Sequence, residues 1–261
     1  VSQIHPTAII SDKTKLGENV TVGPYVVIRG DVTLGAGSVV DHFATIGSEH
    51  TQTQIGERTR IHPGAVVGEV PQDLKYKGET TKLTLGSDNV IREYATIDAG
   101  TPHGGGLTEI GNKGLFMNYV HIAHDCKVGH EVVIANATQL AGHVDIADHV
   151  KIGGVCCFNQ FVRVGTHAYI AGDSSVNKDV APFAIAQGKY AVMRAANQVG
   201  MDRAGFDKKD IEAVRKAIRI ITKGGDTVDG SLERIAKECE MSPALERLIE
   251  FVKTSERGLA I

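Results

Sequence analysis

From Ile122 onward an aliphatic or aromatic residue returns at every sixth position without a slip: Ile122, Val128, Ile134, Leu140, Ile146, Ile152, Phe158, Val164, Ile170 and Val176. The N-terminal part carries the same series at Ile4, Ile10, Leu16, Val22, Ile28, Leu34, Val40 and Ile46. A period of six matches neither the 3.6 of an amphipathic helix nor the two of a half-buried strand. It marks a repeat coil, a parallel β-helix in which three hexapeptides complete one triangular turn. Residue i then lies under residue i+18, one inter-strand spacing of about 4.8 Å away. The aliphatic position points inward, and each turn buries the face of its neighbours. Glycine often follows the inward residue, as at Gly17, Gly35, Gly47, Gly68 and Gly129, where it is expected to relieve the steric cost of a corner.

Three places break the period. Extra residues separate Ile46 from Ile55. PQDLKYKGET lies between Val67 and Leu85, and TPHGGGLTE follows Ile97. Both read as loops ejected from the coil, about 70–82 and 99–109, and loops on a rigid scaffold are favoured places for function. After Pro182 the pattern turns helical. Asp207 caps a run through Ile211, Val214, Ile218 and Ile221, Ser231 and Leu232 open a short helix, and Ser242-Pro243 starts a last one. The expected architecture is mainly β, with a β-helix over 1–188 and a small α-helical C-terminal domain over 189–261.

A net charge of -3 argues against a general nucleic-acid binder, which needs a basic excess to neutralise phosphates. No stretch has the apolar length of a membrane span, and no charged-then-apolar leader opens the chain. Cys126, Cys156, Cys157 and Cys239 show no CxxC pairing, so a reducing cytoplasm is expected. Cys126 and Cys156 fall on a hexad position otherwise held by small or branched residues such as Ala44 and Val132, which makes them packing residues rather than nucleophiles.

The coil's arithmetic also gathers chemistry. His121 and His124 lie in HIAHDC, and His143 lies in LAGHVD. Gly142 is eighteen residues after His124, Gln160 eighteen after Gly142, and Asp125 sits under His143. A histidine, a carboxylate, a bare glycine amide and a carboxamide on one patch are the parts for acyl transfer. The base removes a hydroxyl proton, and a backbone N–H stabilises the resulting oxyanion. A zinc site through His121, His124 and His143 is the competing reading, and a third is a surface of solvated histidines.

HIAHDC, LAGHVDIADHVKIGG, VPQDLKYKGE, GGGLTEIG, IAQGKYA and MDRAGF, spread nearly end to end, resemble the acyl-ACP:UDP-N-acetylglucosamine O-acyltransferase family of lipid A biosynthesis. The resemblance implies a left-handed coil, a cytoplasmic homotrimer and no cofactor. It makes His124 the general base on the sugar 3-hydroxyl, Asp125 its orienting partner and Gly142 the oxyanion donor. His121, His143 and Gln160 would surround the sugar and the acyl carbonyl. Gln72, Asp73 and Lys75 would reach the nucleotide sugar from a neighbouring subunit, and Asn197 and Arg203 would serve uridine and phosphate. Gly172 matches the position limiting acyl length and, lacking a side chain, implies a long 3-hydroxyacyl group.

Asn159, Tyr190, Val199 and Ala204 depart from the family's usual residues, which leaves the contacts to the nucleoside and the acceptor atom open. Some members act on a 3-amino analogue of the sugar. The paralogous N-acyltransferase carries an extra N-terminal domain, whereas hexads here begin at Ile4. A zinc-dependent hydratase of the same fold is the more distant alternative. Lys189, Arg194, Arg203, Lys208, Lys209, Arg215, Lys216, Arg219 and Lys223 outnumber Asp202, Asp207, Asp210 and Glu212, and such a basic face suits an acidic acyl carrier protein. Phe116, Tyr119 and Tyr169 are expected on the outside, where three parallel coils could bury them.

Overall fold

The computed structural model describes residues 1–261 and contains the parallel β-helix expected from the period-six series. Short parallel strands stack into three sheets of eleven, nine and eight strands, the three faces of a prism. The first face runs from Gln3–Ile4 to Tyr169–Ile170 and beyond, the second from Ile9–Ile10 to Ser175–Val176, and the third from Lys15–Leu16 to Arg163–Val164. Uninterrupted turns keep the eighteen-residue register, as in His121↔Gln139 and Gln139↔Cys157. Turns that eject a loop are longer: Ile61 pairs with Ile91 and Ile97 with Ile122.

The inward column fills a continuous apolar core that includes Ile28, Ile46, Ile91, Ile122, Ile134 and Leu140. Burying each such side chain contributes about 1.5–3 kcal/mol. Phe116 belongs to this column and is fully buried, contrary to the expectation that it faces out. It lies six residues before Ile122 and so occupies the inward phase. Tyr119 and Tyr169 do lie on the surface, at 58% and 38% exposure. Cys126 and Cys156 are buried, and burial pushes the Cys126 thiol up to about 12, which leaves it inert as a nucleophile.

Corner geometry corrects the reading of the glycines. At the corners it is mostly non-glycine residues that take left-handed backbone angles, including Asp125 at φ 59°, His143 at 64° and His149 at 62°. Each costs about 1–2 kcal/mol, offset by an N–H bond to the turn below, such as His143 N to His124 O at 3.0 Å. Most glycines after the inward residue are there for close approach instead. A Cβ on Gly17 would lie 2.6 Å from the Ala36 nitrogen. Gly47 and Gly68, at φ 70° and 83°, are the two that fit the original rationale.

Past Pro182 the chain first makes an antiparallel hairpin, Ala184–Gln187 with Val192–Ala196, rather than turning helical at once. Four helices follow: α1 Gln198–Arg203, α2 Lys208–Lys223, α3 Val228–Glu238 and α4 Pro243–Lys253. Asp207 and Ser242 cap α2 and α4 as expected. Thr227, not Ser231, caps α3, and Ser231 is buried inside that helix. No helix is long and apolar enough to cross a membrane.

Candidate active site

His124 and Asp125 occupy the corner between the second face at His121–Ile122 and the third face at Lys127–Val128. The same corner one turn on holds Gly142 and His143, and the next holds Gln160 and Phe161. The His124 ring lies against Gly142 so closely that a Cβ there would sit 2.7 Å from Nε2 and 2.5 Å from Cε1. The Gly142 N–H donates to no other group of the chain. An imidazole nitrogen and a free backbone donor therefore face one small space.

The other ring nitrogen is held from behind. His124 Nδ1 lies 2.8 Å from Asp125 Oδ2, and the side chains are 7% and 1% exposed. Asp125 also accepts from Thr101 N at 2.8 Å and Thr101 Oγ1 at 2.6 Å, while its own N–H donates to Thr108 Oγ1. The hydrogen bond to Asp125 raises the His124 pKa against the opposing effect of burial, and Asp73 and Asp98 add to the rise. Burial disfavours the Asp125 carboxylate, but bonds from His124 and Thr101 outweigh it and hold the group below its usual range. This carboxylate fixes Nδ1 as the protonated nitrogen and leaves Nε2 free to accept.

His143 packs edge-on to His124 at 5.2 Å and stacks on Phe161 at 4.5 Å. Burial lowers its pKa, with Asp125 opposing. His121 is also lowered by burial, and its Nδ1 pairs with Thr96 Oγ1 at 2.7 Å. His124, Asp125 and His143 offer ligand atoms within 4.8 Å of one another. That set replaces His121 of the zinc reading with a carboxylate. Asp125 already accepts three hydrogen bonds, the arrangement of a base-orienting group rather than of an ion cage.

The first ejected loop folds back onto its own chain's corner. Asp73 Oδ2 lies 2.9 Å from His103 Nε2 of the second loop, and Gln72 stands beside the carboxylate of Asp98. Lys75 is exposed, and its N–H donates to Asp73 Oδ1 at 2.8 Å. Gln160 is exposed on the corner column. The remaining positions lie elsewhere. Asn197 caps α1 through Gly200 N and donates to His167 O at 2.9 Å, placing it by the third–first corner. Arg203, at the end of α1, is exposed. Gly172 lies at the first–second corner, between Tyr169–Ile170 and Ser175–Val176, where a Cβ would meet only Gly154 O at 3.3 Å and Gly154 N at 3.8 Å.

Sequence reasoning overlooked Thr101, His103, Gly104 and Asp98. A Cβ on Gly104 would overlap the Asp125 carboxylate, so the first glycine of the GGG run packs directly against the dyad. Asp98 directly follows inward Ile97, a slot that Gly or Ala often fills but that also takes Arg29, Asp41 and Arg92, so no separate signal marks it in the sequence.

Known proteins agree with this architecture along the chain. The family described as Udp N-acetylglucosamine O-acyltransferase, domain 2, matches residues 179–260, and bacterial transferase hexapeptide repeats match 13–48. LpxA from Acinetobacter baumannii is 39% identical over 98% of both chains, with a TM-score of 0.93. UDP-N-acetylglucosamine O-acyltransferase from Moraxella catarrhalis is 39% identical over 99% of both, at 0.93. The Arabidopsis UDP-N-acetylglucosamine acyltransferase is 33% identical over 98% of this chain and 99% of its own, at 0.89.

Proposed function

The chain belongs to the UDP-N-acetylglucosamine O-acyltransferase family, and from that premise we propose that its second–third corner moves a 3-hydroxyacyl chain from acyl carrier protein to the 3-position of UDP-N-acetylglucosamine. The enzyme is an acyltransferase of lipid A biosynthesis. The observation that carries the catalytic assignment is the His124 ring seated against Gly142, with Asp125 on its far nitrogen.

His124 Nε2 takes the proton of the acceptor group as that group attacks the thioester carbonyl. The Gly142 N–H donates to the oxygen that gains negative charge. The adduct collapses with cleavage of the C–S bond, and His124 returns its proton to the carrier's sulfur. Asp125 keeps Nδ1 protonated throughout. His121, His143 and Gln160 border the acceptor and the acyl carbonyl, with Gln72, Asp73 and Lys75 supplied by the folded-back loop.

Asn197 and Arg203, assigned to uridine and phosphate, and Gly172, assigned to the acyl tail, sit away from the His124 corner of the same chain. That separation supports a homotrimer in which neighbouring copies complete each site. For the carrier, Lys216, Arg219, Lys223 and Arg234 line one depression on the helices. Arg219 and Lys223 make no ion pair within the chain and are free to meet acidic residues.

The test is thioester consumption with 3-hydroxyacyl carrier protein and UDP-N-acetylglucosamine or its 3-amino analogue. Absence of transfer to the 3-position of either sugar overturns the assignment. Running acyl lengths in parallel tests Gly172, where a preference for short chains would contradict the long-chain reading.

A further inference from the structure

The 3-10 turn Pro102–Gly104 of the second ejected loop carries bonds to two different places. Thr101 caps it, accepting from Gly104 N at 3.2 Å, and Pro102 fixes the backbone angle at its first position. From the cap, Thr101 N and Oγ1 donate to Asp125. Two residues on, His103 Nε2 lies 2.9 Å from Asp73 Oδ2 of the first loop, with side chains 42% and 16% exposed. One short turn therefore holds the carboxylate behind the base and, through its histidine, a carboxylate of the other loop.

Little else holds the first loop in place. Lys75 N and Tyr76 N bond to Asp73, Tyr76 Oη to Glu79 O and Lys77 Nζ to Leu74 O, all inside the segment. Apart from Asp98 beside Gln72, His103 is the only side chain from the rest of the chain bonded to residues 71–79. The Lys75 N–H, with His103 adding to it against burial, holds the Asp73 carboxyl below its usual range. Both ends of the contact are felt at the reacting corner. Asp73 favours positive charge on His124 and His143, and His103 opposes it on His143.

We propose that His103 is a positioning residue of the acceptor site: it latches the loop carrying Gln72, Asp73 and Lys75 to the turn that holds Asp125, so that the grip on the nucleotide sugar is ordered before the sugar arrives. The inference rests on the acyl-transfer reading of the corner and on the assignment of that loop to the sugar. A loop without the latch has to be ordered by the substrate itself, and that entropy is charged to binding. The proton-transfer groups His124 and Asp125 keep their own bonds, so the loss belongs to the affinity for the sugar rather than to the chemical step.

The experiment measures kcat and the separate KM values for 3-hydroxyacyl carrier protein and for the sugar, UDP-N-acetylglucosamine or its 3-amino analogue. It uses the full chain and its His103→Ala and His103→Gln forms, each checked by thermal melting. His103→Ala is expected to raise the KM of the sugar about three- to tenfold, the scale of a partly exposed charge-assisted bond. Both kcat and the KM of the carrier should change by less than about twofold. His103→Gln, whose amide can still donate to Asp73, should recover most of the loss. A sugar KM that does not rise, a rise shared equally with the carrier, a loss confined to kcat, or a Gln form no better than the Ala form overturns the latch while the acyl-transfer reading stands. Transfer by the wild-type chain to neither sugar overturns that reading, and this inference with it.

Discussion

Two corners of the prism bring together histidines from successive turns, and they do opposite things. At the second–third corner His124 has Asp125 on one nitrogen, a bare glycine against the other, and a raised pKa. At the third–first corner His149 and His167 stack at 4.5 Å, and His167 continues into Phe183 and Phe206. There burial lowers His167 to about 4, and His149 and Arg247 push the same way. The same residue type therefore acts as a base where a buried carboxylate bonds the ring nitrogen, as Asp125 does, and as a packing residue where burial dominates.

The contrast breaks most sharply at the base. His124→Ala is expected to cut kcat/KM by about 10²–10⁴ with little change in melting, whereas His167→Ala should lower the melting point and spare the activity of what folds. If both substitutions cost activity alike, the two corners are not distinct. Gly142→Ala places a methyl group in the His124 ring and should cost roughly 10² by displacing it; kinetics near wild type would show that the ring and the amide do not act together. Asp125→Asn is expected to lower activity by at least about tenfold and to change its pH profile. The base must be neutral, so the rate rises with pH through the raised His124 value. Without the carboxylate that value drops, and the rising limb moves to lower pH. A limb that stays in place would detach Asp125 from the base.

The smallest effect belongs to the packing corner. The folded-state pKa of His167 is about 4 against an ordinary 6.5, so between those values the unfolded chain binds the extra proton. This part of stability is complete above about 6.5 and is lost as pH falls toward about 4. Melting curves across that window should flatten in His167→Phe, and an unchanged slope would assign the acid sensitivity elsewhere.

The column of His124, Gly142 and Gln160 was legible in the sequence because those turns contain no insertion, so eighteen residues always means one rung. The same arithmetic set Asp125 under His143. It could not follow the loops, whose return is fixed by contacts such as His103 with Asp73. Gln72 and Asp73, which the resemblance implies reach the nucleotide sugar from a neighbouring subunit, also stand beside Asp98 and His103 of their own chain. Phe116 was misjudged by ignoring the period that placed every other core residue. The role of the glycines was misjudged because backbone proximity between turns leaves no trace in a single turn's sequence. Asp98 was passed over because its neighbour Gln72 arrives on an ejected loop, whose return the repeat does not record.

Both ejected loops leave the second face and rejoin on the third within a single turn, and Val66–Glu69 and Thr81–Leu85, which flank the first, still pair with the turn below them. The hardware of bond-making and the grip on a substrate are thus separately editable. A lineage could lengthen, shorten or rewrite the segment around Gln72 and Asp73 and acquire a different sugar, while the imidazole two rungs on and the amide three rungs on kept their places.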